Sequence, residues 1–153
     1  MTDSVQTIIN ELLKTSHGVT VTTLTEDQIP ETRMIFNLLN PEDFPGLKDF
    51  FNASDIRGRL LYGTNTSSEK VSQLKKNNML TAYYTIPDQF KGMMIHGTVT
   101  LLNDPDLKKR MWLDGWDMYY HQGPLDPDYT IFELFPRYVK GWYEGRPFHE
   151  KFE

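Results

Sequence analysis

The chain of 153 residues, with 39% hydrophobic and 24% charged residues, has the size and composition of one folded globular domain over residues 1–153, which excludes a disordered chain. A formal net charge of −5, with only two short basic clusters at 75–76 and 108–110, excludes a surface that neutralises the phosphates of nucleic acid. The absence of cysteine excludes disulfides, thiolate nucleophiles and cysteine-bound metals. The sequence shows neither a signal peptide nor an apolar run of about 18 residues, so we expect a cytoplasmic protein without membrane contact.

The first half of the chain alternates short helices with β-branched stretches. Apolar residues at helical spacing predict a first helix over residues 4–14. Two alternating stretches predict a hairpin of strands at 19–25 and 31–39. A further strand at 59–64 leads directly into a helix at about 67–76, so a junction of strand and helix is expected there.

The second half is richer still in strand-forming residues. It predicts a second hairpin at 79–86 and 91–103, a helix at 105–113, and two final strands at 129–135 and 138–143. Six or seven strands with only short helices between them do not fit the regular alternation of a parallel α/β sheet. We therefore predict a mainly β protein whose antiparallel sheet curls into a closed or nearly closed barrel, because closure leaves no long sheet edge exposed.

The junction of the third strand with its helix has the composition of an anion site. Between Thr64 and Lys70 it collects free backbone N–H groups, several hydroxyls and an ammonium group. A cation in the first helical turn opposes the helix dipole unless an anion lies beside it, and a phosphate would remove that conflict. An ordinary capping box formed by Thr66 and Glu69, with Lys70 pointing to water, fits the same residues. The sequence leaves both interpretations open.

The strand at 31–39 supplies a second candidate phosphate ligand. Alternation along the strand puts Arg33, Ile35 and Asn37 on one face and Met34 and Phe36 on the other. The guanidinium of Arg33 is suited to bidentate contact with a phosphate, although an arginine on a solvated strand face explains the pattern equally well.

Aromatic residues crowd into one segment, where Trp112, Trp116, Tyr119 and Tyr120 lie within nine residues. They suit a flat ring ligand, a partner subunit, or the covering of a barrel end. The four histidines have no metal-ligand spacing, so no metal site is predicted. No serine-hydrolase, P-loop or dinucleotide-binding motif is present, and no catalytic residue is predicted.

Three segments, read in order, resemble the pyridoxamine 5'-phosphate oxidase-like family of FMN-binding split-barrel proteins. They are Thr-Arg-Met-Ile-Phe at 32–36, Leu-Tyr-Gly-Thr-Asn-Thr-Ser-Ser-Glu-Lys-Val at 61–71, and Ile-His-Gly-Thr-Val at 95–99. Trp112, the turn Gly-Pro-Leu-Asp-Pro at 123–127, and Phe-Pro at 135–136 leading to Trp142 resemble the general stress protein branch of that family.

The resemblance implies a split antiparallel β-barrel of Greek-key type with short flanking helices, and a homodimer that binds FMN in clefts between its subunits. It implies that the flavin phosphate is held by the strand arginine and by the strand-to-helix turn, and that the backbone of the strand follows the flavin ring. Trp112 or Trp142 is then expected to approach the ring from the partner subunit. By position in the matching motifs, the implied cofactor-binding residues are Arg33, Met34, Ile35, Phe36, Tyr62, Thr64, Ser67, Ser68, Lys70, Trp112 and Trp142.

The C-terminal residues 145–151 depart from the Arg-x-His element that holds the substrate in the true oxidases, so the resemblance argues against a vitamin intermediate as the substrate. Two functions remain open. The first is an FMN-dependent oxidoreductase with another small-molecule substrate, and the second is a non-catalytic FMN-binding stress-response or sensor protein. A cleft that takes a deazaflavin or haem is a third alternative.

Overall fold

The computed structural model of the protein describes residues 3–152, which form seven strands and four α-helices joined by short turns. The helices are α1 (Asp3–Thr15), α2 (Lys48–Asn52), α3 (Glu69–Lys76) and α4 (Pro105–Met111). The strands are β1 (Val19–Leu24), β2 (Pro30–Ile35), β3 (Leu60–Asn65), β4 (Met79–Ile86), β5 (Lys91–Leu102), β6 (Tyr129–Tyr143) and β7 (Arg146–Lys151).

All seven strands belong to one antiparallel sheet, in the order β2-β1-β4-β5-β6-β3, with β7 also paired to β6. The sheet curls without closing, so β2 forms one edge, and β3 and β7, which pair with successive parts of β6, form the other. Among the described residues, β2 pairs with β1 alone and β3 with β6 alone. The prediction of a mainly β, split antiparallel barrel is confirmed.

Two apolar clusters hold the sheet in its curled form. The first lies between α1 and the concave face of the sheet and includes Leu12, Tyr84 and Phe132. The strand alternation produces it, because Val19 and Val21 of β1 are buried while Thr20 and Thr22 lie on the opposite face and are only half-buried. The second cluster lies under α2, α4 and the start of β6, and its most buried members are Leu47, Ile56, Leu61, Met111, Tyr129 and Ile131.

The end of the sheet differs from the prediction, because the two final strands are a single strand, β6. Its pairing with β5 shifts between His96 and Gly97, which leaves a bulge beside Pro136. Pro136 has no N–H to donate, and it lies where β6 changes partners, after the last pair with β3 at Leu134 and before the first pair with β7 at Tyr138. A proline that looks like a strand terminator in the sequence is therefore accommodated within the strand.

Strand β7 is absent from the predicted elements. Its sequence, Arg-Pro-Phe-His-Glu-Lys, has no β-branched residue, and it pairs only with β6. The turn before it supplies the reason that it forms: Glu144 and Gly145 have φ values of 49° and 75°, as a two-residue type I′ hairpin requires.

Strand β2 ends at Ile35, four residues before the predicted end. Asn37 is buried, and its side-chain amide donates to the carbonyl oxygens of Leu13 and Ser16, each at 2.8 Å. It therefore completes the hydrogen bonding of the last turn of α1 instead of continuing the strand face that begins with Arg33. No helix within residues 3–152 combines the length and apolar character needed to cross a membrane.

Candidate functional site

A cleft of about 460 Å³ lies where the barrel is split, between the edge strands β2 and β3. Four consecutive residues of the β2 edge, 33–36, line one side, and residues 63–65 of β3 line the other. Lys70 of α3 and the aromatic residues Trp116, Tyr119, Tyr120 and Tyr129 complete the walls, with His17 and Leu38 at the margin. The volume lies in the usual range for small-molecule sites, and each strand edge offers backbone hydrogen-bonding groups that the sheet leaves free.

Lys70 is buried inside this cleft, with only 6% of its surface exposed. Its ammonium donates to the hydroxyl oxygen of Thr64 and, at 3.3 Å, to that of Ser68. Burial, helped by the nearby positive charge of Arg33, lowers the pKa of Lys70 to about 8. The alternative in which Lys70 points to water is therefore wrong, and the ammonium is held where an anion would stabilise it.

Arg33 is half-buried on β2, and its guanidinium is fixed from three directions. One terminal nitrogen donates to the hydroxyl of Thr23 at 2.7 Å and to the backbone oxygen of Glu31 at 2.9 Å, and the other lies 3.4 Å from the side-chain oxygen of Gln73. In the part of the chain that the structure describes, neither Arg33 nor Lys70 has a carboxylate partner, and no Asp or Glu lines the cleft. The two cations therefore lie in the cleft without a compensating negative charge from the described residues.

The turn between β3 and α3 is held by Asp128, which precedes β6. One carboxylate oxygen accepts from the backbone N–H of Ser67 and the other from the side chain of Asn65, both at 2.8 Å. The backbone oxygen of Asp128 accepts from the N–H of Thr66 at 2.7 Å. The contacts with Asn65 and Ser67 lower the pKa of Asp128, so this carboxylate stays ionised and fixes the turn at neutral pH.

The capping box proposed for this turn is wrong. Helix α3 begins at Glu69, and its N-cap residue is Ser68, whose side chain makes no capping hydrogen bond. The hydroxyl of Thr66 instead donates to the backbone oxygen of Pro127 at 2.8 Å, across the sheet edge. The threonine is used to attach the turn to the segment before β6.

An aromatic wall faces the edge of β2 across the cleft; we use this name for Trp116, Tyr119, Tyr120 and Tyr129. Its members pack against one another, with ring centroids 4.8 Å apart for Tyr120 and Tyr129 and 6.0 Å apart for Trp116 and Tyr129. The cleft thus combines two cations with an aromatic, mostly apolar surface. Such a combination suits a ligand that carries both a phosphate and a planar ring.

A family model for pyridoxamine 5'-phosphate oxidase matches residues 6–143. The chain belongs to this family. The match covers β1 to β6, and therefore all the elements that line the cleft, and it confirms the resemblance carried by the three sequence segments.

Several solved structures resemble the chain along most of its length. A protein related to general stress protein 26, from Clostridium acetobutylicum, is 28% identical with a TM-score of 0.76, over 99% of this chain and 96% of that one. A pyridoxamine 5'-phosphate oxidase-related, FMN-binding protein from Nostoc punctiforme is 15% identical with a TM-score of 0.62, over 98% and 95%. A haem-binding protein from Mycobacterium smegmatis is 15% identical with a TM-score of 0.64, over 94% and 57%. Comparison with curated proteins gave no match.

Of the residues expected to bind a cofactor, most line the cleft and some lie elsewhere in the fold. The structure brings Arg33, Met34, Ile35, Phe36, Thr64 and Lys70 together in the cleft. Ser68 reaches the site through its contact with Lys70, whereas Ser67 is turned toward Asp128. Tyr62 is buried in the first apolar cluster, where its ring stacks on Phe132 and its hydroxyl bonds that of Tyr84.

The two tryptophans expected near the ring also differ in position. Trp112 is half-buried behind the aromatic wall, with its ring centroid 5.7 Å from that of Tyr129 and 6.1 Å from that of Trp116. Trp142 lies on β6, with 41% of its surface exposed on the convex face of the sheet.

Among the cleft residues that the sequence interpretation did not assign to the site are Tyr129 and His17. Tyr129 begins β6 and looks like an ordinary strand residue in the sequence. His17 follows α1, and its Nδ1 lies 3.0 Å from a carboxylate oxygen of Asp43, 26 positions along the chain, which raises the pKa of the histidine. Only the tertiary fold brings these groups to the cleft, so no local sequence signal identifies them.

Proposed function

We propose that the cleft binds FMN, with its phosphate between Arg33 and Lys70 and its ring between the edge of β2 and the aromatic wall. The observation that carries this proposal is the burial of the Lys70 ammonium beside Arg33 with no carboxylate partner in the described chain. A phosphate dianion would neutralise both charges and accept charge-assisted hydrogen bonds from both side chains.

The rest of the cleft suits the rest of FMN. The free backbone groups of residues 33–36 lie along one edge, where they can bond the polar rim of a flavin ring. The aromatic wall offers apolar ring faces and edges on the other side, against which a planar ring can pack. The FMN-binding protein from Nostoc punctiforme, which has the same fold, supports this choice of ligand.

We infer that the protein acts as an FMN-dependent oxidoreductase on a small molecule. Bound FMN would supply the hydride-transfer and electron-transfer chemistry, which a protein of this kind does not have to provide itself. The residues of this chain would anchor the phosphate, orient the ring and exclude water from its buried side. That division of roles agrees with a site that offers cations and aromatic rings and no evident nucleophile.

A steady-state assay tests this function against the non-catalytic alternative. The purified protein is expected to bind FMN and to oxidise a reduced nicotinamide, with a panel of acceptors, well above the rate of the same concentration of free FMN. Tight FMN binding with turnover no greater than that of free FMN would favour a stress-response or sensor protein. Failure to bind FMN at all would overturn the proposal.

Haem is the competing cofactor, because a haem-binding protein shares this fold. Two cations beside each other favour a single phosphate dianion over the two propionate carboxylates of a haem, which are carried on separate side chains. Competitive titration with FMN and haemin distinguishes them: we expect haemin to displace little bound FMN at equal concentrations, and complete displacement would favour haem. Mass spectrometry of the ligand extracted from native protein provides an independent identification and also detects a deazaflavin.

We also propose that the protein is a cytoplasmic homodimer. Several exposed apolar side chains lie on the convex face of the sheet; we call Met34, Met79, Tyr83, Phe135 and Trp142 the outer-face patch, with exposed fractions of 75%, 37%, 45%, 47% and 41%. Met34 belongs to both this patch and the cleft lining. A second copy packed on the patch would therefore reach the open side of the cleft and complete the site.

A further inference from the structure

Tyr129 has an unusual environment for a buried tyrosine. It is fully buried at the start of β6, and its hydroxyl is the one buried side-chain polar atom of the described residues that has no hydrogen-bond partner. The residue also lines the cleft. Its ring packs against the rings of Tyr120, Trp112 and Trp116. On the side of β3 the ring lies over Gly63, where an added Cβ would be 3.4 Å from Cε2 of Tyr129.

An unpartnered hydroxyl in such a place has an energetic cost. Leaving a buried donor or acceptor unsatisfied costs about 1–3 kcal/mol, and a phenylalanine of the same shape would avoid that cost. Buried tyrosines ordinarily find a partner, and Tyr62 and Tyr84 do so in the first apolar cluster by bonding each other. The hydroxyl of Tyr129 is thus suited to a polar group from outside the chain.

The surroundings of Tyr129 indicate which part of a ligand would meet this hydroxyl. Its ring contacts within the second cluster are aromatic, and it belongs to the aromatic wall. The two cations proposed to bind the phosphate, Arg33 and Lys70, instead donate their hydrogen bonds to oxygens of Thr23, Gln73, Thr64 and Ser68. Burial raises the pKa of Tyr129, so the hydroxyl keeps its proton at neutral pH and is available as a donor.

We propose that the hydroxyl of Tyr129 donates a hydrogen bond to an acceptor atom on the ring system of the bound flavin, and so positions the ring in the cleft. This inference rests on the proposed binding of FMN. It assigns Tyr129 as a positioning and specificity residue for a heteroaromatic ring with acceptor atoms at its edge.

The test compares wild-type protein with Tyr129→Phe, using FMN and riboflavin as ligands and flavin fluorescence quenching as the readout. The substitution is expected to weaken both ligands by the same factor, about five- to twentyfold, because riboflavin has the same ring and lacks the phosphate. The melting temperature of the ligand-free protein is expected to stay the same or to rise, because an unsatisfied group is removed. A loss of affinity without a loss of ligand-free stability distinguishes a ligand-binding tyrosine from a purely structural one, whose substitution would lower the stability.

Tyr84→Phe is the matched control. It removes a hydroxyl that has a partner in the core, so it is expected to lower the melting temperature and to leave both affinities within about twofold.

Four outcomes would contradict the proposal. Equal FMN affinity of wild-type protein and Tyr129→Phe would overturn the assignment of Tyr129 and leave the proposed function standing. A loss for FMN alone would place the hydroxyl at the phosphate and overturn the ring contact. A lower melting temperature of ligand-free Tyr129→Phe would show that the hydroxyl already has a partner. Wild-type protein that does not bind FMN would overturn the proposed function and this inference together.

Discussion

Lys70 differs from an ordinary surface lysine because its ammonium is buried against two hydroxyl oxygens and beside another cation. Two neutral acceptors compensate only part of the cost of removing a charge from water. The lowered pKa of Lys70 expresses that remaining cost. An anion in the cleft would favour the protonated form, and so the pKa of Lys70 is expected to rise when phosphate binds.

This coupling predicts how FMN affinity depends on pH. The affinity is expected to rise as the phosphate loses its second proton near pH 6, to reach a maximum, and to fall above pH 8, where unliganded Lys70 loses its proton. Above pH 8 the fall approaches about tenfold per pH unit, because binding must then take up one proton. Fluorescence titrations with FMN from pH 6 to pH 9.5 measure this pH dependence. Lys70→Met is the control, and its FMN affinity is expected not to fall above pH 8. An FMN affinity that is constant between pH 7 and 9.5 would contradict the assignment of Lys70 to the phosphate.

At the scale of elements, the turn between β3 and α3 depends on a residue that is distant in sequence. Asp128 holds Asn65 and Ser67 through its carboxylate and Thr66 through its backbone. The turn presents Thr64 and Ser68 to Lys70, so the geometry of the anion site depends on this attachment.

Asp128→Ala is therefore expected to destabilise the protein. It removes two charge-assisted hydrogen bonds to Ser67 and Asn65, which water replaces only in part at this exposed turn, at a net cost of about 1–3 kcal/mol. For a chain of this size that corresponds to a melting temperature lower by about 2–12 °C, measurable by circular dichroism. Asp117→Ala, an exposed aspartate in the loop after α4, is the control and is expected to change the melting temperature little. Equal melting temperatures for the two variants would show that Asp128 does not hold the turn.

The elements that the sequence predicted well are those with a strong local pattern. The alternation of valine and threonine in β1, and the long β-branched stretches of β4 and β5, gave strands close to the observed bounds. The errors lie where tertiary contacts override the local pattern. Pro136 is tolerated because β6 changes partners there, and β7 forms because the turn at 144–145 directs it back along β6.

The cleft was predictable only in part, for the same reason. Arg33 and Lys70 stand out in the sequence as cations within motifs that resemble a known family, and the structure brings both to the cleft. The capping box was excluded only by the structure, in which the hydroxyl of Thr66 donates to Pro127, 61 positions away along the chain. Tyr129 and His17 owe their positions entirely to the curvature of the sheet and the packing of α1.

In the molecule as a whole, the first apolar cluster covers the concave face of the curled sheet, whereas the convex face carries exposed apolar side chains. The members of the outer-face patch lie on three strands, β2, β4 and β6, and the register places Tyr83 beside Met94 and Met79 in line with Phe135. Large exposed apolar patches on a folded chain mark interaction surfaces. A second copy of the chain is the partner that would also close the cleft.

Light scattering tests the dimer directly, and wild-type protein is expected to have twice the chain mass of 17.9 kDa. Tyr83→Glu is expected to yield monomers, because an unpaired carboxylate would be buried at the interface. Ile29→Glu, on the exposed turn between β1 and β2, is the control and is expected to remain dimeric. If the cleft is shared between subunits, Tyr83→Glu also binds FMN more weakly. A wild-type monomer at micromolar concentration would contradict the composite site.

The most direct measurement of the phosphate site is the ratio of FMN to riboflavin affinity, by fluorescence titration at pH 7, in wild-type protein, Arg33→Met and Lys70→Met. Two charge-assisted contacts predict that wild-type protein binds FMN at least about a hundredfold more tightly than riboflavin. Each substitution is expected to reduce that ratio by about tenfold or more and to change riboflavin affinity little. Equal affinities for FMN and riboflavin in wild-type protein would show that Arg33 and Lys70 do not hold the phosphate.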